Sequence, residues 1–158
     1  MDTMLDLIQK RRWLAMEKAK QEIRACNCIT QSFGLVLCEE EIQELVQCRE
    51  EALQRTGRVE FGEGILPKLI SVFCSSPYIE QKNYMETLVE LQEAFYELKK
   101  ESMDVYSDDE ILECMVAVFS GKAQGSIEYL LGTLMEELCW SARMGYDRRE
   151  AVKAGDLL

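Results

Sequence analysis

Apolar residues recur at three- and four-residue intervals along most of this 158-residue chain, and its helix-interrupting residues are concentrated in one place. Both prolines (Pro67, Pro77) and three of the nine glycines (Gly57, Gly62, Gly64) fall within residues 57–79. A period near 3.6 lines up apolar side chains on one stripe of a helix, and that stripe needs a neighbour to cover it. The pattern therefore points to an all-α fold: a compact bundle of about six helices with no significant sheet. A chain this long buries a core without staples, and 47% hydrophobic with 30% charged residues reads as globular.

The spacing predicts a first helix over 3–26 and a second over 39–56, with Ile42, Leu45, Val46, Arg49, Ala52 and Leu53 on one face. Gly57 suits the end of the second helix. Cys38 stands at its N-cap, with Glu41 at the capping-box position. A short third helix over 65–75 tolerates Pro67 in its first turn, and Pro77 stops it. The fourth, over about 80–103, carries an apolar arc (Tyr84, Leu88, Leu91, Phe95, Leu98, widened by Met85, Val89 and Tyr96) near half its circumference. A helix covered on so many sides is expected at the centre. Ser107-Asp-Asp-Glu110 is a capping box for the fifth helix, ended by Gly121. The sixth runs from Ser126 to Gly145 in near-heptad register. Residues 1–22 read as an N-terminal helical extension, 23–145 as a single helical domain, and 146–158 as a charged, frayed tail.

The net charge of −11 repels phosphate backbones and anionic lipid, so neither nucleic acid nor membrane is an expected partner. The charge is uneven. Residues 1–30 carry six basic and four acidic groups, whereas residues 78–120 carry three basic and eleven acidic ones. The basic first helix either lies against that acidic middle or leaves it for a basic partner; the plainer reading is a solvated acidic face. The seven cysteines are scattered, with no signal peptide ahead of them, which reads as reduced thiols in a cytoplasmic protein. Histidine is absent, and with it the commonest general base, the Ser-His and Cys-His pairs and the imidazole ligand.

Other constellations are weaker than they look. Glu90-x-x-Glu93 and Glu110-x-x-Glu113 have the spacing of the paired glutamates of all-α nucleotide pyrophosphohydrolases. On the helical wheel, however, Glu86, Glu90, Glu93, Glu97 and Glu101 form a stripe opposite the apolar arc and face water. Cys26-x-Cys28, followed by Cys38 and Cys48, lacks the second close pair of a zinc site. The cysteines read as buried hydrophobes, and no metal or cofactor is expected. Gly57-x4-Gly62 has P-loop spacing, yet Glu63 and Gly64 stand where Lys and Ser or Thr are needed.

The 57–79 connection reads better as an internal turn. Glu60 or Glu63 reaches the N–H groups of the third helix or pairs with Arg58, while Phe61 and Tyr78 anchor the two ends. Gly57-Arg-x-Glu-Phe-Gly-x-Gly-Ile65, Phe73-Cys-x-Ser-Pro-Tyr-Ile79, Ser107-Asp-Asp-Glu110 and Gln124-Gly-Ser126 together resemble an uncharacterised family, a domain of unknown function from Gram-positive bacteria. The likeness spans about residues 23–138. It implies a small bacterial cytoplasmic protein and carries over no catalytic residue, cofactor or substrate.

The expected function is a non-enzymatic protein–protein interaction module with Arg58, Glu60, Phe61, Glu63 and Tyr78 as its contact residues and no catalytic residue. The alternative is a small enzyme or sensor using thiols or carboxylates with a bound metal or anion. A homodimer through exposed apolar surface on the first or sixth helix is a further possibility.

Overall fold

The computed structural model describes residues 3–60 and 64–158. The helices are α1 (Met4–Thr30), α2 (Glu39–Thr56), α3 (Ile65–Phe73), α4 (Tyr84–Glu101), α5 (Asp108–Ser120), α6 (Ile127–Leu134), α7 (Ser141–Arg143) and α8 (Arg149–Lys153). Single 3-10 turns occupy Gln31–Phe33 and Gln81–Asn83, and a π turn, Met135–Trp140, joins α6 to α7. The described residues contain no strand.

α1 starts where Thr3 and Asp6 cap each other, Thr3 Oγ1 accepting from the Asp6 N–H at 3.2 Å and Asp6 from Thr3 at 3.1 Å. It runs to Thr30, past the expected end near Cys26. After the 3-10 turn and Gly34 the chain runs outside any helix over 35–38, and two side-chain amides stand in for a strand partner. Asn27 pairs with the N–H and C=O of Leu37 at 2.9 Å each, and Gln81 does the same for Val36 at 2.8 Å. An extended segment thus satisfies its backbone without a sheet.

α4 is the hub. It touches α2, α3, α5, α6 and the π turn, and buries Leu88, Leu91, Ala94, Phe95, Tyr96 and Leu98. Burial of each leucine and of Phe95 contributes about 1.5–3 kcal/mol. The glutamate stripe faces outward: Glu86, Glu90 and Glu93 are exposed, while Glu97 and Glu101 lie beside Arg55 (4.0 Å) and Arg143 (2.5 Å). Two polar residues, Gln92 and Lys99, sit inside the apolar arc. Gln92 is fully buried, and neither its amide nitrogen nor its oxygen has a hydrogen-bond partner among the described residues.

The heptad reading of the sixth helix gives way at the π turn. The wider turn admits an extra residue and brings Glu137, Leu138 and Cys139 inside together. The Glu137 carboxylate, 2% exposed, holds Arg148 Nε at 3.1 Å and accepts from the Leu158 N–H. Residues 146–158, which sequence patterning reads as a frayed tail, carry α8 packed on α5, with Val152 1% exposed. A segment with one inward valine has no periodic signal to read.

Candidate functional site

The 57–79 connection is held at three points, each by a residue from another element. Gly57 closes α2, and the chain turns so that Glu60 folds back beneath it. The Glu60 carboxylate accepts from Arg49 Nε (2.7 Å) on α2, from the Tyr96 hydroxyl (2.7 Å) on α4 and from the Ile65 N–H (3.2 Å) at the start of α3. The anion that the N-terminus of α3 attracts is thus the chain's own carboxylate. Both partners are shielded, Arg49 with 11% of its side chain exposed and Glu60 with 14%. Burial works against the Arg49 charge, but Glu60 outweighs it and the guanidinium pKa is raised. Burial, then the Glu60 charge, pushes the Tyr96 phenol well above its ordinary range. Gly64 is required by close approach: a Cβ there would lie 2.8 Å from Glu60 Oε1.

Arg58 does not join that clasp. It reaches across to Asp104 in the α4–α5 connection and donates twice, at 2.6 and 3.1 Å. The Arg58 hydrogen bonds hold the Asp104 carboxyl below the usual range. Beneath them Lys99, 8% exposed, donates to the Tyr106 carbonyl (2.9 Å) and pairs with Asp108 at 2.9 Å and Asp104 at 3.7 Å. Met103 and Asp104 both have positive φ, 54° and 58°. Such strain in non-glycine residues persists only where the surroundings over-determine it, and here the ion pairs do so.

At the far end, Tyr78 is half free (38% exposed) and turns its ring edge-on to Phe119 at 6.3 Å. Phe119 also receives Phe73 edge-on at 5.3 Å. Gly125, at φ +84°, lies so close that a Cβ would sit 2.7 Å from Tyr78 Cβ. The Phe73–Ile79 and Gln124–Ser126 motifs therefore meet. Arg58, Glu60 and Tyr78 engage separate partners, and Phe61 and Glu63 lie outside the described residues. The sequence argument missed Arg49, Tyr96 and Asp104, the partners that hold this segment. Arg49 carried a signal, being an arginine on an apolar stripe, which needs an acidic partner.

The connection does line a recess of about 200 Å³ between α1 and α3, with Lys18 and Glu22 on one wall and Arg49, Glu60 and Gly64 on the other. It is smaller than an ordinary ligand pocket, and its Arg49 and Glu60 charges are already paired. Among the described residues no three Cys, Asp or Glu side chains gather closely enough to hold a metal ion. Cys74, Cys114 and Cys139 are buried, Cys26 and Cys48 half-buried, and Cys28 and Cys38 exposed; all seven are free. Burial pushes the thiols of Cys114 and Cys139 up to about 11, which suppresses the nucleophilic thiolate. The second glutamate pair is likewise engaged, Glu110 with Arg149 (2.5 Å) and Glu113 with Lys153 (3.4 Å).

Fold and site define a small all-α bundle protein whose connections on either side of α3 are bound to its own core. Residues 22–148 match the family of unknown function DUF6323, and the chain belongs to that family. The match takes in all four sequence motifs and leaves the first five turns of α1 outside. No curated protein and no solved structure matches the chain. No described helix is long and apolar enough to cross a membrane.

Proposed function

We propose that the protein is a non-enzymatic protein–protein interaction module of the bacterial cytoplasm, with a contact surface where the 57–60 and 102–106 connections meet. One observation carries this reading. Val59, Met103 and Val105 are 72%, 61% and 60% exposed and flank the bidentate Arg58–Asp104 pair. The Arg58–Asp104 ion pair fixes the two connections on which they stand, with Met103 and Asp104 at positive φ. Exposed apolar side chains next in sequence to a partly exposed, fixed arginine have the composition of an interface centre, and connections already held in place leave less ordering cost on binding. Glu60 supports the surface from beneath, while Tyr78 stands apart from it, partly exposed against Phe119.

The test is capture of partners from the native host with the tagged chain, against Val59→Asp/Val105→Asp and Arg58→Ala variants. These sites are exposed or partly exposed, so circular dichroism is expected to show an unchanged fold. Loss of a wild-type partner in both variants supports the surface. The same captured set from wild type and from both folded variants would refute it.

A further inference from the structure

The first 12 residues of α1 project from the bundle with their side chains uncovered. Every residue from Thr3 to Ala15 is exposed, including Met4 (75%), Leu5 (62%), Leu7 (46%), Ile8 (49%) and Leu14 (59%). Two apolar rows run along this arm. Leu5 and Ile8 lie on the row that continues through Arg12, Met16 and Ala19 to the buried Ile23. Met4, Leu7 and Leu14 make a second row with Arg11 between them. Farther along, α1 is covered by α2 and α3, one on each side. The arm repeats that two-sided pattern where neither neighbour reaches.

Its charge matches the rest of the molecule. Residues 3–20 carry five basic and two acidic side chains, against 13 basic and 26 acidic in residues 21–158. Among the described residues the acidic middle does not cover the arm within one molecule: every residue from Thr3 to Ala15 is exposed, and the later turns of α1 carry its packing on α2 and α3. Arg11 and Arg12 have no ion-pair partner among the described residues. On the body, Glu44 and Glu51 of α2 and Glu86, Glu90 and Glu93 of α4 are exposed and equally unpaired. Between them lie the half-buried Cys48, Met85 and Val89. Burial first, and then the fields of Glu51, Glu44 and Glu93, raises the Cys48 thiol, which places these carboxylates around one spot.

We infer that the protein self-associates: the α1 arm of each copy lies on the acidic α2–α4 face of the other, in a two-fold symmetric dimer. An arginine midway along each apolar row calls for an apolar surface studded with carboxylates. Lipid does not fit, because a membrane-lying helix keeps its cations on the polar face. Pairing of arm with arm would set arginine against arginine. One arm of 12 residues is only about 18 Å long and small beside a standard interface of ~1,600 Å². Two-fold exchange doubles the contact.

Sedimentation velocity on the purified full chain, from 1 to about 200 µM, reads the association directly. The expected result is a dimer that weakens as salt rises from 50 to 500 mM, the signature of complementary exposed charge. Leu5→Asp/Ile8→Asp, Arg11→Glu/Arg12→Glu and Glu90→Lys/Glu93→Lys are each expected to raise the dissociation constant about tenfold or more. Mixing the last two variants is decisive. Neither pairs with itself, but in the mixed dimer an acidic arm meets a basic face and a basic arm meets an acidic face, so association returns. A monomer throughout, a dimer indifferent to the α4 substitutions, no recovery on mixing, or binding of the monomer to phosphatidylglycerol vesicles would each overturn the inference. The measurement uses one purified chain, so its failure leaves the surface at Arg58 to be judged by its own partners.

Discussion

Replacing Glu60 with alanine strips three donors at once, and the cost can be worked from the structure. Among the described residues Arg49, with 11% of its side chain exposed, keeps Glu50 at 2.8 Å. The Tyr96 hydroxyl, in a residue 1% exposed, loses its described partner, and the Ile65 N–H loses its cap. Removing one member of a buried ion pair costs about 3–5 kcal/mol, because the other charge stays buried. The orphaned hydroxyl alone would account for about 1–3 kcal/mol, part of the same loss and not additional to it. Taking about 4 kcal/mol, at about 2–4 °C per kcal/mol for a domain of this size, the midpoint falls by roughly 8–16 °C. Urea and thermal unfolding followed at 222 nm give both quantities. Tyr96→Phe removes one of the three bonds and is expected to cost only about 1 kcal/mol. In the Glu60→Ala background it is expected to be nearly neutral or favourable, since the hydroxyl then has no partner. Arg49→Met with Glu60→Leu is expected to recover most of the loss, because a matched apolar pair leaves no stranded charge. A Glu60→Ala protein within about 1 kcal/mol of wild type would refute the view that this carboxylate fastens α2, α3 and α4 together.

Other outcomes follow from the same packing. Gln92→Leu is expected to stabilise the fold by about 1 kcal/mol, since it removes an unpartnered amide from the centre of α4; a comparable loss in urea unfolding would contradict it. Gly125→Ala is expected to cost more than about 1 kcal/mol, because φ is +84° and the new Cβ meets Tyr78; an unchanged midpoint would count against the contact. Thiol labelling at pH 8 with peptide mapping is expected to modify Cys28 and Cys38 first and Cys74, Cys114 and Cys139 only on unfolding. A buried thiol reacting as fast as Cys28 would disprove the packing. Burial lifts Cys114 and Cys139 to about 11 and Tyr84 to about 12, so the folded chain keeps protons that the unfolded chain releases. Stability is therefore full below about pH 8.5 and falls as pH rises through 11 and 12. A melting temperature constant across that window would refute this.

Much of this protein is determined by the order of its residues alone. Helical spacing defines α2, α4 and α5 with the faces they bury, and the central place of α4 follows from an apolar arc too wide for one neighbour. The Ser107–Glu110 cap and the outward glutamate stripe are local periodic facts, and they stand as read. Even the reach of Glu60 to the first N–H of α3 is a matter of a few residues. What spacing does not carry is pairing across the chain. Arg58 finds Asp104 46 residues away, Glu60 finds Tyr96 36 residues away, and Gln81 completes the backbone at Val36 from 45 residues on. Each depends on how helices stack, and a single polar residue on a connection carries no period to announce its partner. The π turn that buries Glu137 and fastens residues 148–158 is of the same kind, since one added residue in a helix shifts every face after it. The sequence by itself determined an all-α bundle and the irregular 57–79 connection. Only the tertiary structure decided that this connection is closed by its own core, and that apolar side chains stay exposed beside Arg58 and along the α1 arm.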